Sequence, residues 1–428
     1  MPFRGFEGPA GTGKTFQLIG AAGEHCADRP LDAHHRILAL TFMHGSRRRL
    51  DERLSEAGPL KGRHVCMTID SFAVDIVRRW RSLAAVTSVE AGNFDQVCDA
   101  AGQLLEHPSV ARWVAATYPA VLVDEAQELG PPRLRVIRAL AAHVALFVAA
   151  DEFQCLDERI DTRPFMEWFR TGRITPLTQV RRTSMQGLLD AALALREGRA
   201  VPVNGPGIRI TYQHPNQMPF AIGHALHAAR RAGGTTAMIV APGAGRWADQ
   251  VLPRLRQGMK TARQTVPPLS IERETRTEDD IARVTACLGQ PETIPTGEAI
   301  ACLQSIADPP SWLPQVTAAL KHQLRACATE EWSLSAIGNL IERRASLHRA
   351  YGYQRQTAIP VITIQSAKNR QFRNVVVLWG AGVQGDANRK ARLLYNAITR
   401  TEARCTVFVQ QEKLLRLPPF QPVTTANE

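Results

Sequence analysis

Two clusters of residues in this chain have types and spacing suited to phosphate chemistry. The first is GPAGTGKT, in which Gly8, Gly13, Lys14 and Thr15 fit G-x-x-x-x-G-K-[ST] and Gly11 adds a third glycine. Glycines let a backbone fold over a phosphate with its N–H groups turned inward. A lysine at this place reaches the β and γ phosphates, and the hydroxyl that follows ligates Mg²⁺. The apolar helix predicted after the loop aims its positive end at the same anion. The second cluster is PAVLVDEAQEL, where Asp124 and Glu125 follow a buried strand. Asp124 can bind Mg²⁺ through water opposite Thr15, and Glu125 can orient and deprotonate an attacking water. Two acids opening a helix also suit its dipole without any catalytic role; the phosphate loop upstream selects the catalytic reading. Farther on, Gln154 in ADEFQ can touch a γ phosphate or its attacking water. Arg182 and Arg400 lie in the second half, where no phosphate loop exists. Guanidinium groups there make chemical sense if two domains sandwich one nucleotide.

The elements that must position these residues follow from the apolar runs. HRILALTF, RHVCMTI, PAVLVDE and HVALFVAAD read as buried strands ending in polar residues and alternating with helices. That pattern predicts an α/β fold with a parallel sheet covered on both faces and ligands at the carboxyl ends of its strands. A second set starts after Gly172 with RITPLTQV and continues through TTAMIVAP, IPVITIQS, NVVVLWG and ARCTVFVQ. The expected organisation is two parallel-sheet domains in tandem, 1–172 and 173–428. Helical insertions are expected at about 74–117 and about 242–358, and a disordered tail at 417–428.

Composition points to a partner. The formal net charge of +12 and the pI near 9.7 suit a polyanion, most simply nucleic acid. No run approaches the length of a membrane span and no apolar leader precedes the loop, so a cytoplasmic protein is expected. The eight cysteines are scattered without zinc spacing and read as reduced thiols.

In their order, GPAGTGKT, LALTFMHGSRRRLDERL, MTIDSF, VLVDEAQEL, ADEFQ, LTQVRRTS, VITIQSAKNRQF and LLYNAITR resemble the successive motifs of UvrD/Rep-like superfamily 1 helicases. The resemblance spans nearly the whole chain, as a compact member of that family. It implies two RecA-like domains that clamp ATP with Mg²⁺ between them and move along single-stranded DNA, typically 3′→5′. Carried over residue by residue, Lys14, Thr15, Asp124 and Glu125 take the phosphate, magnesium and catalytic-base positions. Gln154 takes the γ-phosphate sensor, and Arg182 and Arg400 take the two arginine fingers. Thr41, Phe42, Thr68 and Phe72 fall in the strand-contact motifs, and Phe42 is the aromatic expected against a base. Phe42 and Phe72 are also of a type commonly buried in cores.

Departures from the family pattern are specific. No Gln precedes the loop where the family reads adenine. Arg181 replaces the aromatic that stacks on the base, and a guanidinium plane can also stack. Arg159 stands where a tryptophan is usual. QSAKNRQF replaces H-S-x-K-G-x-E-F, and its Gln371 can bond a ribose or phosphate without adding negative charge near a backbone.

The leading function is a nucleic-acid-dependent ATP hydrolase that translocates on single-stranded DNA as a 3′→5′ helicase. The alternative is an ATP-switched, DNA-sensing regulatory subunit of an anti-phage or nuclease complex, without unwinding of its own. A P-loop kinase or transferase would explain Lys14 but leaves Arg182 and Arg400 without work. Stacking and backbone contacts accept DNA and RNA alike.

Overall fold

The computed structural model describes residues 3–42, 44–83, 93–274, 277–289, 291–307, 309–351 and 358–422. It divides into two compact units, Met1–Glu272 with Thr357–Glu428, and Arg273–Gln356.

The larger unit is α/β and holds two RecA-like sheets in tandem. The first contains β1 (Arg4–Glu7), β2 (Ile37–Thr41), β3 (His64–Thr68), β4 (Ala120–Val123), β5 (Ala145–Ala150) and β6 (Arg173–Pro176). Their order is β3-β2-β4-β5-β1-β6, with every pair parallel. The continuous apolar runs follow from burial on both faces. Leu38, Leu40, Val121 and Val123 enter one core, while Ile37, Ala39, Ala120 and Leu122 enter the other. Because the strands are parallel, Gly8, Thr41, Thr68, Asp124 and Asp151 all emerge at one edge. The strand RITP pairs with β1 and so closes the first sheet; its assignment to the second set is corrected. Backbone pairing decided this, since an edge strand carries no label of its sheet in sequence. The helices Ile69–Arg79, Phe94–Glu106 and Pro108–Thr117 lie between β3 and β4 and share the first sheet's core through Phe72, Cys98 and Val110.

The second sheet gathers β7 (Asn204–Gly205), β8 (Ile208–Tyr212), β9 (Thr236–Val240), β12 (Ile271–Arg273), β15 (Ile359–Thr363), β16 (Phe372–Trp379) and β17 (Thr401–Val409). Its order is β12-β15-β9-β16-β17-β8-β7. The run from β15 to β8 is parallel, and β7 is antiparallel to β8. The short ribbon β10 (Met259–Lys260) and β11 (Thr265–Val266) stands beside it.

The smaller unit packs the helices Thr277–Ala286, Thr296–Gln304, Leu313–Cys327 and Leu334–Tyr351 with an antiparallel pair, β13 (Thr293–Pro295) and β14 (Glu331–Ser333). Its own core includes Val284, Leu303, Trp312, Ile337 and Ile341.

Disorder was expected from Leu417 onward, and for residues 417–422 that expectation is corrected. Phe420 is fully buried, its ring 5.8 Å from that of Trp379, and its carbonyl accepts from Val201 N at 3.0 Å. One aromatic finding a pocket is enough to order a segment that lacks periodicity. Residues 423–428 lie outside those described. Among the described residues no helix is long and apolar enough to cross a membrane. Phe420→Ala is predicted to destabilise the larger unit by about 3 kcal/mol, the usual cost of emptying a buried Phe site. Denaturant melts of the two proteins check this.

Candidate nucleotide site

The loop after β1 turns on two glycines in the left-handed region, Gly11 at φ +84° and Gly13 at φ +87°. A Cβ on Gly11 would stand 2.7 Å from the Cβ of Arg182, so that close approach requires glycine. Gly13 caps helix α1 (Lys14–Asp28), whose first residue carries the lysine. Lys14 is buried, donates from Nζ to the carbonyls of Gly8 at 2.7 Å and Pro9 at 3.1 Å, and lies 3.8 Å from Asp151 Oδ2.

The acid pair stands beside α1. Thr15 Oγ1 donates to Asp124 Oδ2 at 2.8 Å, which brings the two expected magnesium residues into contact. Burial, and then the charge of Glu125, push Asp124 up to about 6, against the pull of Thr15 and Lys14. Glu125 adopts φ +58°, ψ +38°, a left-handed conformation that costs a residue with a Cβ about 1–3 kcal/mol and is typically kept at functional sites. Gln127 Nε2 holds its carboxylate at 2.5 Å.

The second half of the chain supplies cations to the same place. Arg182 Nη1 donates to the Thr399 carbonyl at 2.6 Å, and Arg400 Nε donates to the Asn396 carbonyl at 3.0 Å. Arg400 Nη2 reaches Gln154 Oε1 at 3.1 Å, joining two residues that the sequence places far apart. With its amide oxygen turned to Arg182, Gln371 accepts from Nη2 at 3.1 Å and Nε at 3.2 Å. Burial and the nearby Arg400 pull Arg182 down to about 9, and burial lowers Arg400 as well. Arg49 falls to about 10 through burial and the charge of Arg400. These residues line a cavity of about 800 Å³, in which Lys14, Arg49, Arg53, Arg181, Arg182 and Arg400 face only Asp124, Glu125 and Glu56 as acids.

Several residues of the site escaped the sequence reading. Asp151 is buried and collects Gln154 Nε2 and Arg196 Nη1, both at 2.8 Å, besides Lys14. Its backbone N–H donates to Gln127 Oε1 at 2.9 Å. The Tyr395 hydroxyl accepts from Ala10 N at 2.8 Å, tying the helix Ala387–Ile398 to the phosphate loop. Asp151 carried a signal, since it ends a buried strand just as Asp124 does. Tyr395 and Arg196 carried none, because only tertiary contact brings them to the loop. Phe16 lines the cavity although the residue is 67% exposed, and Arg181 lines it too, its N–H bonded to the Gly11 carbonyl at 2.8 Å.

The expected strand contacts are placed differently. Phe72 is 2% exposed within the first core, so it packs and does not present a stacking face. Thr41 and Thr68 are buried as well, and Thr68 Oγ1 caps the helix Ile69–Arg79 by accepting from Ser71 N at 3.1 Å. Gln371 serves the nucleotide cavity through Arg182. Phe42 is partly exposed, with the Arg133 guanidinium 5.5 Å from its ring centre.

The donor set fits a polyphosphate with a divalent cation. Lys14 and the N-terminus of α1 offer positive charge at the loop, while Thr15 and Asp124 offer the oxygen ligands that magnesium prefers. The sign of the Asp124 shift yields a prediction. Its carboxyl is protonated below about 6 in the fold and below its ordinary, lower value when unfolded. Ionisation therefore costs the native state above pH 6, and the cost vanishes where both states are protonated. Without nucleotide or divalent metal, Asp124→Asn is predicted to melt higher than wild type at pH 7.5, with the gap closing toward pH 4.

A family model for the UvrD-like helicase C-terminal domain matches residues 359–408, which run from β15 to near the end of β17. No curated protein shows significant similarity. Among solved structures, arterivirus nonstructural protein 10, a helicase, aligns in its DNA complex at 10% identity and TM-score 0.39, over 97% of this chain and 63% of that one. The same protein solved alone aligns at 11% identity and TM-score 0.41, over 98% and 62%. This chain thus spans under two thirds of the length of those helicases. The family match on β15 to β17 covers the two stretches VITIQSAKNRQF and LLYNAITR, so this part of the chain is similar to the C-terminal domain of UvrD-like helicases.

Proposed function

We propose that this protein hydrolyses ATP with Mg²⁺ when bound to single-stranded DNA and uses the cycle to translocate, 3′→5′, along the strand. The observation that carries the reading is the crowding of Arg182, Arg400 and Arg49 in the cavity that holds the phosphate loop. Burial and then the charge of Arg400 depress both Arg182 and Arg49, so an anion bound there would relieve the repulsion. A nucleoside triphosphate has the charge and length to meet Lys14 at one side and both arginines at the other.

ATP and Mg²⁺ would supply the transferable phosphoryl group and its charge neutralisation. The rest is done by side chains. Lys14 exchanges its carbonyl partners at Gly8 and Pro9 for phosphate oxygens. Glu125, held by Gln127, takes the proton of the attacking water. Gln154 and Arg400, already bonded, register and stabilise charge on the γ phosphate. Phe16 and Arg181 offer an aromatic and a guanidinium face to the base, which substitutes for the family's aromatic before Arg182. Strand binding would bear on Phe42, since Phe72 is committed to the core. This thin set of exposed contacts favours, as a second reading, an ATP-switched DNA sensor that grips a strand without displacing its complement. A strand-displacement assay beside the turnover assay separates the two.

Steady-state ATP turnover with and without oligo(dT) is the test. Turnover is expected to be low alone and to rise with the oligonucleotide. Glu125→Gln should lower the stimulated rate by about 10²–10⁴, the usual worth of a general base, while nucleotide binding persists. Arg400→Ala should lower it by about 10³ or more. Full turnover in Glu125→Gln would remove the assigned base.

A further inference from the structure

The smaller unit, Arg273–Gln356, carries a groove of its own, apart from the nucleotide cavity. The helices Leu313–Cys327 and Leu334–Tyr351 and the strand β14 enclose about 560 Å³, with the methyls of Ala318 and Ala319 at its wall and His322, Trp332, Arg343 and Arg344 around it. An adjoining hollow shares Ala318 and His322 and adds Lys321 and Arg325. No carboxylate lines either hollow among the described residues. Nor does any ion pair among those residues occupy Lys321, Arg325, Arg343 or Arg344. Four cations along two adjoining hollows, with no acid among the residues that line them, form a surface suited to an anion. The Trp332 indole Nε1–H is buried at the groove and has no hydrogen-bond partner. A buried donor left in this way lacks an acceptor that a ligand could bring.

We propose that this groove binds a single-stranded nucleic-acid segment through its phosphates, as a second point of attachment beyond the nucleotide-driven machinery. It rests on the reading of the protein as a single-strand-dependent ATPase and names where a further stretch of that strand lies. Lys321 and Arg325 stand about 6 Å apart along their helix. Arg343 and Arg344 face the same groove from the other helix. A free phosphate meets one such site, whereas a chain of phosphates meets both sides. The small alanine side chains leave room for a backbone, and a basic groove with an aromatic wall is the arrangement that holds single strands without reading their sequence. Trp332 Nε1 would donate to a phosphate or base oxygen.

The test uses the full chain and fluorescein-labelled oligo(dT), with anisotropy titrations across a salt series. Arg343→Gln with Arg344→Gln is expected to weaken binding and flatten the slope of log K against log salt by about 1.4, at about 0.7 for each single-strand phosphate no longer neutralised. Lys321→Gln with Arg325→Gln should flatten it comparably, and Arg343→Lys with Arg344→Lys should keep the wild-type slope. Melting temperature and DNA-free turnover should stay at wild-type values in all three, which separates weakened phosphate binding from impaired folding. An unchanged slope in both glutamine pairs overturns the proposal. So does weakened binding of poly-glutamate with oligo(dT) unaffected, which would give the groove to an acidic protein. If oligo(dT) fails to stimulate wild-type turnover yet the glutamine pairs flatten the slope, the ATPase reading falls and the groove stands. Stimulated turnover with unchanged slopes gives the reverse.

Discussion

Everything at the nucleotide site depends on like charges being held together out of water. Arg182 and Arg400 come from segments more than two hundred residues apart; burial loosens the hold of both on the proton, and the charge of Arg400 loosens that of Arg182 further. Such an arrangement is unfavourable unless an anion joins it. The chain restrains the two guanidiniums through backbone carbonyls, at Thr399 and Asn396, and through the amide of Gln154. None of these neutralises them. The positive charge is thus kept available while its geometry is fixed, which is the condition for electrostatic preorganisation.

Asp151 is the counterweight. Its carboxylate sits at the end of β5 and is shared among Lys14, Arg196 and Gln154, so the first sheet's loop, the helix Gln186–Arg196 and the turn after β5 meet on one charge. Tyr395 adds a second tie, accepting from Ala10 N and from Arg196 Nη1 at 3.3 Å. A displacement of the phosphate loop is in this way felt by residues of the second sheet's side without passing through the nucleotide. Farther along the cleft, the buried pair of Lys368 with Glu128 and the bond of Asn369 to Ser46 join the loop after β15 to the acid motif and to the helix His44–Glu56. Breaking one partner of a buried pair leaves an uncompensated charge, so the Lys368–Glu128 tie is costly to break from either side.

Much of this was legible in the residues. The buried strands announced themselves as continuous apolar runs, and the polar residue closing each run marked the functional edge, because parallel strands deliver their carboxyl ends to one side. The loop motif located Lys14 and Thr15, and the acid pair after β4 located Asp124 and Glu125. Strand RITP was misplaced because its sheet is chosen by pairing with β1. Phe72 was misread because an aromatic in a strand-contact motif and an aromatic in a core look alike until its neighbours are known. The segment 417–422 looked unstructured because a single anchoring Phe420 leaves no periodic trace.

The sequence by itself determined the side chains available for chemistry: a glycine-rich loop ending in lysine and threonine, two adjacent acids after a buried strand, and arginines in the order of a known family's motifs. Those depend on residue type and short spacing, which the chain carries directly. The tertiary structure alone decided which cations share a cavity, that Asp151, Tyr395 and Arg196 brace the loop, and that Gln371 meets Arg182. It also decided that Trp332, Arg343 and Arg344 border one groove and that Lys321 and Arg325 border the hollow beside it. These depend on proximity across long stretches of chain, where burial and the absence of a counter-charge, and not local sequence, set what a side chain can do.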